Sequence, residues 1–246
     1  MNTLRYLYKY FRDIIIQIMP IIRGKKLEEL DKVLIISPHP DDEILGCGGF
    51  ISYMVQHHKA ISIIYMTKGE NVDKRIPSDI VKVERTKLAK RALSCVGQSL
   101  NHVYFLDFTD GKINMEDPET GKLNALINQI SPRVIFVTHR MEKWNDHIQS
   151  NNIMHKLIQD HTIKFYEYCV WTWSLTPFQD IITIKWHNAR YFKMGKDIHK
   201  LKKKAIKIYM DETNVEGLPY SGALPPDLLR SCSWREEIFF ESKPSS

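Results

Sequence analysis

Val33-Leu34-Ile35-Ile36-Ser37-Pro38-His39-Pro40-Asp41-Asp42-Glu43 is the stretch on which the fold turns. It opens as a short apolar, partly β-branched run and ends in a proline-bounded turn crowded with acids, ahead of a segment that reads as a helix. Three further runs of this kind follow at Ile61–Thr67, His102–Leu106 and Val134–Thr138. Between them Glu43–His57, Ser78–Val96 and Glu119–Ile130 read as helices, each long enough to make a crossover between parallel strands. Beyond them, Asp146–Asp160 and Lys196–Tyr209 read as helices, and Phe165–Trp173 and Ile181–Lys185 as strands.

This alternation predicts an α/β fold of Rossmann-like, doubly wound type, with a mostly parallel sheet covered by helices on both faces. Ligands bind such sheets at the carboxyl ends of the strands, so chemistry is expected just after Ser37, Thr67, Leu106 and Thr138. The chain of 246 residues fits a single domain over residues 31–246 preceded by a helix within residues 1–30. Hydrophobic content of 43% and charged content of 26% give no composition suited to a disordered arm, apart from the extreme tail Lys243–Ser246. Cys47, Cys95, Cys169 and Cys232 lie far apart, which excludes a C-x-x-C zinc ribbon or redox dithiol and fits reduced core cysteines in a cytoplasmic protein. The net charge of +6 does not by itself imply nucleic acid, because the lysines concentrate in Lys200–Lys207, with apolar partners at Ile198, Leu201, Ala205 and Ile208. That run reads as the solvated face of an amphipathic helix.

The first residues form a basic amphipathic pattern. Leu4, Leu7, Phe11, Ile14, Ile15 and Ile18 recur at helical spacing, Arg5, Lys9 and Arg12 fall on another face, and Pro20 interrupts. The apolar run Ile14–Ile22 is well short of the roughly 20 residues that cross a bilayer, and no small-residue cleavage pattern follows it. Two readings stay open for residues 1–22: peripheral contact with an anionic membrane at its inner face, or docking of the apolar stripe on the chain's own domain. Docking is the favoured expectation.

Chemistry concentrates in the turn after the first strand. Helix capping accounts for one of Asp41, Asp42 and Glu43, not all three. Adjacent carboxylates repel unless a cation intervenes, and His39 beside them supplies a nitrogen ligand. After Thr138 a second polar cluster, His139-Arg140 and Trp144-Asn145-Asp146-His147, stands at the same edge of the sheet. His39, Asp42 and His147 then make a face of two histidines and one carboxylate with open positions, and Asp41 can act as general base toward a metal-activated water. Gly46, Gly48 and Gly49 do not fit a dinucleotide fingerprint and are expected to permit close packing. Trp171, Trp173 and Trp186 are expected in the core rather than in a sugar-stacking platform.

Pro38-His39-Pro40-Asp41-Asp42-Glu43, continued by Leu45-Gly46-Cys47-Gly48-Gly49, resembles the opening motif of the LmbE-like, PIG-L-type zinc deacetylases. Thr67-Lys68-Gly69-Glu70, Phe105-Leu106 with Asp110-Gly111, and Asn145-Asp146-His147 resemble the family's later motifs, so the likeness runs from about Val33 to about His147. It implies zinc held by His39, Asp42 and His147, with ferrous iron suited to the same donors, and Asp41 as base. It also implies a sugar hydroxyl on Asp110 and substrate contact at Arg85, for which a solvated helix residue is the equal alternative. Trp144 replaces the family's first histidine in H-P-D-H, and Leu88 stands where many members have a glutamate. The oxyanion partner is therefore open among the metal, His139, His187 and His199. The resemblance implies hydrolysis of the N-acetyl group of an N-acetylglucosamine-type conjugate, soluble or lipid-linked. The alternatives are a metal-dependent hydratase of an unsaturated dicarboxylic acid and a non-catalytic sugar- or lipid-binding protein.

Overall fold

Each apolar run of the first half is returned to the same end of the sheet by the helix that follows it, so the strands lie side by side and parallel. The computed structural model describes residues 2–211, 213–214 and 217–243, with side chains from residue 7 onward. Within them, eight strands form one sheet: β1 (Lys25–Lys26), β2 (Val33–Ser37), β3 (Ile61–Tyr65), β4 (Val103–Phe105), β5 (Val134–Thr138), β6 (Lys164–Tyr168), β7 (Ala189–Lys193) and β8 (Glu236–Ser242). The helices are α1 (Asn2–Arg23), α2 (Asp42–Gln56), α3 (Ser78–Cys95), α4 (Glu119–Ile130), α5 (Asn145–Leu157), α6 (Thr172–Leu175), α7 (Phe178–Ile181), α8 (Lys196–Asp211) and α9 (Pro226–Cys232).

The strand order is β1-β7-β8-β6-β5-β2-β3-β4, with β8 antiparallel to both neighbours and the other pairs parallel. From β2 the chain winds outward through β3 to β4, then crosses back to β5 on the other side of β2. That reversal opens a crevice at the carboxyl ends of β2 and β5. Alternate residues of β2 serve opposite cores: Val33 and Ile35 pack with α2, α3 and α8, whereas Leu34 and Ile36 pack with α4 and α5. The sheet is thus covered on both faces, as the unbroken apolar runs require.

Helix α2 is buried from Asp42 through Ser52, and its glycines permit that depth. A Cβ on Gly46 would lie 2.3 Å from the Tyr168 ring, and one on Gly49 would lie 2.1 Å from Met194 Sδ. Halfway along, the Gly49 and Phe50 N–H groups donate to the Glu237 carboxylate, both at 2.8 Å. Lys202 Nζ donates to Glu237 Oε1 at 2.7 Å and to the Leu45 carbonyl at 2.9 Å. Lys202 thus leaves the expected solvated lysine face: it is only 2% exposed, while Lys200, Lys203, Lys204 and Lys207 are exposed.

Other expectations are corrected. The strand expected over Phe165–Trp173 ends at Tyr168, because the Glu142 carboxylate takes the N–H groups of Val170, Trp171 and Thr172 and turns the chain into α6. Ile181–Lys185 is not a strand; Ile181 and Ile184 are buried at a spacing of three, α7 ends there, and β7 begins at Ala189. Trp173 and Trp186 lie in the core beside Phe240, as expected, but Trp171 does not.

Helix α1 continues through Pro20 and does dock on the domain, by the face opposite to the expected one. Arg12, Asp13 and Ile16 are buried, with Asp13 accepting from Arg230 at 2.9 Å and Lys9 paired with Asp227. Leu7, Phe11, Ile18, Ile21 and Ile22 point outward. The expected contributions of the Leu4 and Arg5 side chains, and the tail beyond Lys243, lie outside the described residues. No described helix is long and apolar enough to cross a membrane.

Removing one member of a buried pair strands the other charge, at a cost of about 3–5 kcal/mol. Lys202→Met is therefore expected to lower unfolding free energy by about that amount, read by urea denaturation. A loss below about 1 kcal/mol would show that Glu237 is satisfied without it.

Candidate metal centre

The site is assembled by two loops at the crevice. Ser37 Oγ donates to the His39 carbonyl at 2.7 Å, and Thr67 donates to the Pro38 carbonyl through both N–H and Oγ1 at 3.0 Å. These bonds brace the turn after β2 against the turn after β3. Asp41 then takes φ 122°, a backbone region few non-glycine residues occupy, with its N–H donating to Glu43 Oε2 at 3.0 Å. On the facing loop, Thr138 Oγ1 donates to the His147 carbonyl at 2.8 Å and Asn151 Nδ2 to the Thr138 carbonyl at 2.8 Å, fixing the start of α5 to the end of β5.

Asp42 Oδ2 stands between the two imidazoles, 3.1 Å from His39 Nδ1 and 3.2 Å from His147 Nε2. His39, Asp42 and His147 each present a donor atom within 4.8 Å of the others, and His39, Asp110 and Asp146 form a second such group. Each imidazole is backed by carboxylate on its other nitrogen. His39 Nε2 lies 3.1 Å from both Asp110 Oδ1 and Asp146 Oδ2, and His147 Nδ1 lies 3.4 Å from Glu142 Oε2. A carboxylate beside one nitrogen favours the tautomer that leaves the opposite nitrogen to ligate. The donor set therefore fits a divalent cation.

The electrostatics agree. Burial opposes charging of both imidazoles, yet the surrounding carboxylates raise His39 well above its ordinary pKa and His147 to about 9. A field that favours imidazolium also favours a dication. Burial pushes the Asp41 carboxyl up to about 8 against the pull of Arg85, with the Asp42 charge adding to the rise. Burial likewise raises Glu43 to about 7, opposed by the Tyr209 hydroxyl that donates to it at 2.7 Å.

Asp41, Asp110 and Arg85 line the same cleft of about 480 Å³ as His39, Asp42 and His147. Asp110 is already engaged at both oxygens: Oδ2 accepts the Asn71 N–H at 2.7 Å while Oδ1 faces His39. Arg85 is 4% exposed, which overturns the solvated-helix alternative. Its guanidinium donates to Asp41 Oδ2 at 3.0 Å and to the Pro40 and Gly69 carbonyls. Gly69, at φ 66°, leaves room for it, since a Cβ there would lie 2.4 Å from Arg85 Cζ.

None of His139, His187 and His199 lines the cleft. His139 accepts the Met141 N–H, His199 Nε2 lies 2.8 Å from the Ser233 carbonyl, and His187 is exposed. Trp144, half exposed, and Trp171 form an aromatic wall with ring centroids 5.4 Å apart. The sequence reading missed Glu142 and gave Asp146, though part of the second polar cluster, no role of its own. Asp146 Oδ2 accepts the Gly111 N–H at 2.6 Å, which ties the Asp110 loop to the candidate metal centre. An acid at the start of a helix reads as ordinary capping; its position between two distant loops is visible only in three dimensions. A larger hollow of about 640 Å³ lies at the opposite end of the sheet and has no carboxylate in its lining.

Together the fold and the site define an α/β protein with a candidate catalytic metal centre at the switch point of a doubly wound sheet. The chain belongs to the PIG-L family: the profile described as GlcNAc-PI de-N-acetylase matches residues 34–158. It is 24% identical over 109 residues to the probable N-acetyl-alpha-D-glucosaminyl L-malate deacetylase 2 of Bacillus cereus, covering 42% of this chain and 50% of that relative. The chain thus spans about half the length of that curated relative. Its fold is similar to that of the N,N'-diacetylchitobiose deacetylase from Pyrococcus horikoshii, at TM-score 0.65 and 17% identity, over 96% of this chain and 93% of the other. It is also similar to GalB, the 4-carboxy-2-hydroxymuconate hydratase of Pseudomonas putida, at TM-score 0.61 and 14% identity, over 87% and 96% of the two chains.

Behind the site, Glu167 of β6 holds the Thr138–Glu142 loop by accepting from Arg140 N at 3.2 Å and Nε at 2.9 Å, with His155 3.4 Å away. Burial resists its ionisation, but His155 and Arg140 hold its pKa below the usual carboxylate value. A depressed folded-state pKa contributes stability above the unfolded value near 4.5, lost as pH falls further. Glu167→Gln is accordingly expected to cost about 1.5–3 kcal/mol at pH 7, with the gap to wild type closing below about pH 4.5 in denaturant titrations. A gap that stays constant with pH would remove the ionised Glu167 from the account.

Proposed function

We propose that this chain is a divalent-metal-dependent hydrolase that removes the N-acetyl group from an N-acetylglucosamine-type sugar conjugate. The observation that carries the reading is the convergence of His39, Asp42 and His147 beside the buried Asp41 in one cleft. Those three residues would hold the cation, zinc or ferrous iron by donor chemistry. When bound, it supplies Lewis acidity to the attacking water and the amide carbonyl.

Asp41 accepts the proton of the attacking water and delivers it to the amine as the C–N bond breaks, leaving acetate and a free amino sugar. Arg85 and the Glu43–Asp41 backbone bond position that carboxylate. Asp110, beside His39 and bonded to the Asn71 N–H, orients that imidazole and, lining the cleft, retains acceptor capacity for a sugar hydroxyl. Trp144 and Trp171 present flat apolar faces that suit the C–H face of a hexosamine. The hydratase alternative calls for cations to receive two substrate carboxylates. Among the described residues of the cleft lining, Arg85 is the one arginine and no lysine is present, and the Arg85 guanidinium is bound to Asp41 and two carbonyls.

Acetate release from a panel of N-acetylglucosamine conjugates, measured beside metal content, tests the reading. Asp41→Asn is expected to retain metal and lose about 10²- to 10⁴-fold in turnover. Equal turnover of wild type and variant would sink Asp41 as base, and bound metal with no acetate from any conjugate would leave a binding protein. Trp144→Ala is expected to raise KM for the sugar about tenfold with little change in kcat, consistent with loss of a binding surface.

A further inference from the structure

The geometry points to the outer face of α1 as a docking surface for an anionic lipid bilayer. A helix packed on its own domain normally buries its apolar stripe. Here Arg12 and Asp13, each 6% exposed, are turned in beside the fully buried Ile16, and Asp13 and Asp227 are engaged by Arg230 and Lys9. The apolar stripe is turned out, with Leu7 58%, Phe11 61% and Ile22 66% exposed. Those ion pairs, together with Ile16 buried in the core beneath and Ile15 and Met19 packed beside it, hold the helix by its inner face and leave Leu7, Phe11, Ile18 and Ile22 outside.

The stripe does not stand alone. Phe178 of α7 packs its ring on Tyr8 and Phe11, at centroid separations of 6.2 Å and 6.4 Å, and Ile182, one turn further on, is 65% exposed. This enlarges the stripe into a patch with aromatic rings at its margin, the composition found at the interface of bilayers. The patch is also joined to the cleft along the chain. The short stretch from Trp171 to Phe178 joins the cleft wall to the patch, and Trp144, half exposed, stands against Trp171.

Charge selects the occupant. Arg23, Lys25, Lys26 and Lys185 are exposed around the patch, against Glu29 and Asp180. The other nearby acids, Asp13, Asp227 and Glu28, are bound to Arg230, Lys9 and Lys164. An apolar strip with a basic border matches acyl chains beneath anionic headgroups, and an α1 of 22 residues lying flat would extend about 33 Å along the surface. Docking of this kind would bring to the membrane surface the end of a segment, Trp171 to Phe178, whose start lines the cleft. It does not depend on the chemistry performed in the cleft.

Co-sedimentation of the full chain with sonicated vesicles tests the proposal without any assay of activity. Binding to phosphatidylcholine vesicles containing 30% phosphatidylglycerol is expected to exceed binding to pure phosphatidylcholine by at least about tenfold and to weaken with salt. The double variant Phe11→Asp/Ile22→Asp, altered at two exposed positions, is expected to lose at least about tenfold in partitioning while keeping its melting temperature. Wild type that stays in the supernatant with both vesicle types overturns the proposal, as does undiminished binding by a folded double variant. A concentration-dependent dimer, abolished by the double variant and indifferent to vesicles, would instead assign the face to a second copy of the chain and likewise overturn it.

Discussion

Helix α2 is sunk between the sheet and α8 with acids at its first turn, glycines in its middle and a buried ion pair against its backbone. That burial is the constraint on which the candidate metal centre rests. Asp42 and Glu43 sit at the positive end of the helix, where a negative charge is favoured, but each is also withdrawn from water. The fold satisfies them with His39 and His147 on one side and Tyr209 on the other. Further down, Gly46 and Gly49 admit Tyr168 and Met194, and Lys202 with Glu237 fixes depth and rotation. The last elements of the chain, α8 and β8, therefore complete a site whose named residues all lie earlier.

The same constraint explains why so many carboxylates coexist in one cleft. Asp42, Asp110, Asp146 and Glu142 are each anchored by an imidazole or by backbone N–H groups, and Asp41 by Arg85. Anchoring of this kind fixes their positions before any cation or substrate arrives, which is the preorganisation that catalysis by electrostatics needs. Asp41 differs from the others in its strained backbone and in a carboxyl raised by burial. Burial raises Glu43 too, but the strained backbone belongs to Asp41 alone among these acids, a cost that marks functional sites.

Much of this was legible in the sequence where periodicity and local motif carry the information. The parallel strands β2, β3 and β5 and helices α2 to α5 were readable because each is an unbroken apolar run or an amphipathic segment set off by turns. The turn Pro38–Glu43 betrayed itself by an excess of acids over what a helix start uses. The later half was less legible because side chains distant in sequence decide it. Glu237 makes β8 look polar until Lys202 is seen against it, and Lys202 itself is hidden among lysines that do face solvent. The orientation of α1 escaped for the same reason: its apolar stripe was plain, but the partners Asp227 and Arg230 that draw its polar face inward lie some two hundred residues away.

Glu142 has two tasks that are usually separate. It backs the His147 imidazole, and it collects the amides of Val170, Trp171 and Thr172 with the Thr172 hydroxyl, so that β6 can stop and α6 begin. The second task remains whether or not a cation is ever bound. In a descendant that abandoned the chemistry, His147 would be free to drift while Glu142 stayed under selection for folding. Retention of this acid among related chains therefore measures inheritance of the architecture, and under the proposed function the imidazole beside it is the residue whose retention would report on the reaction.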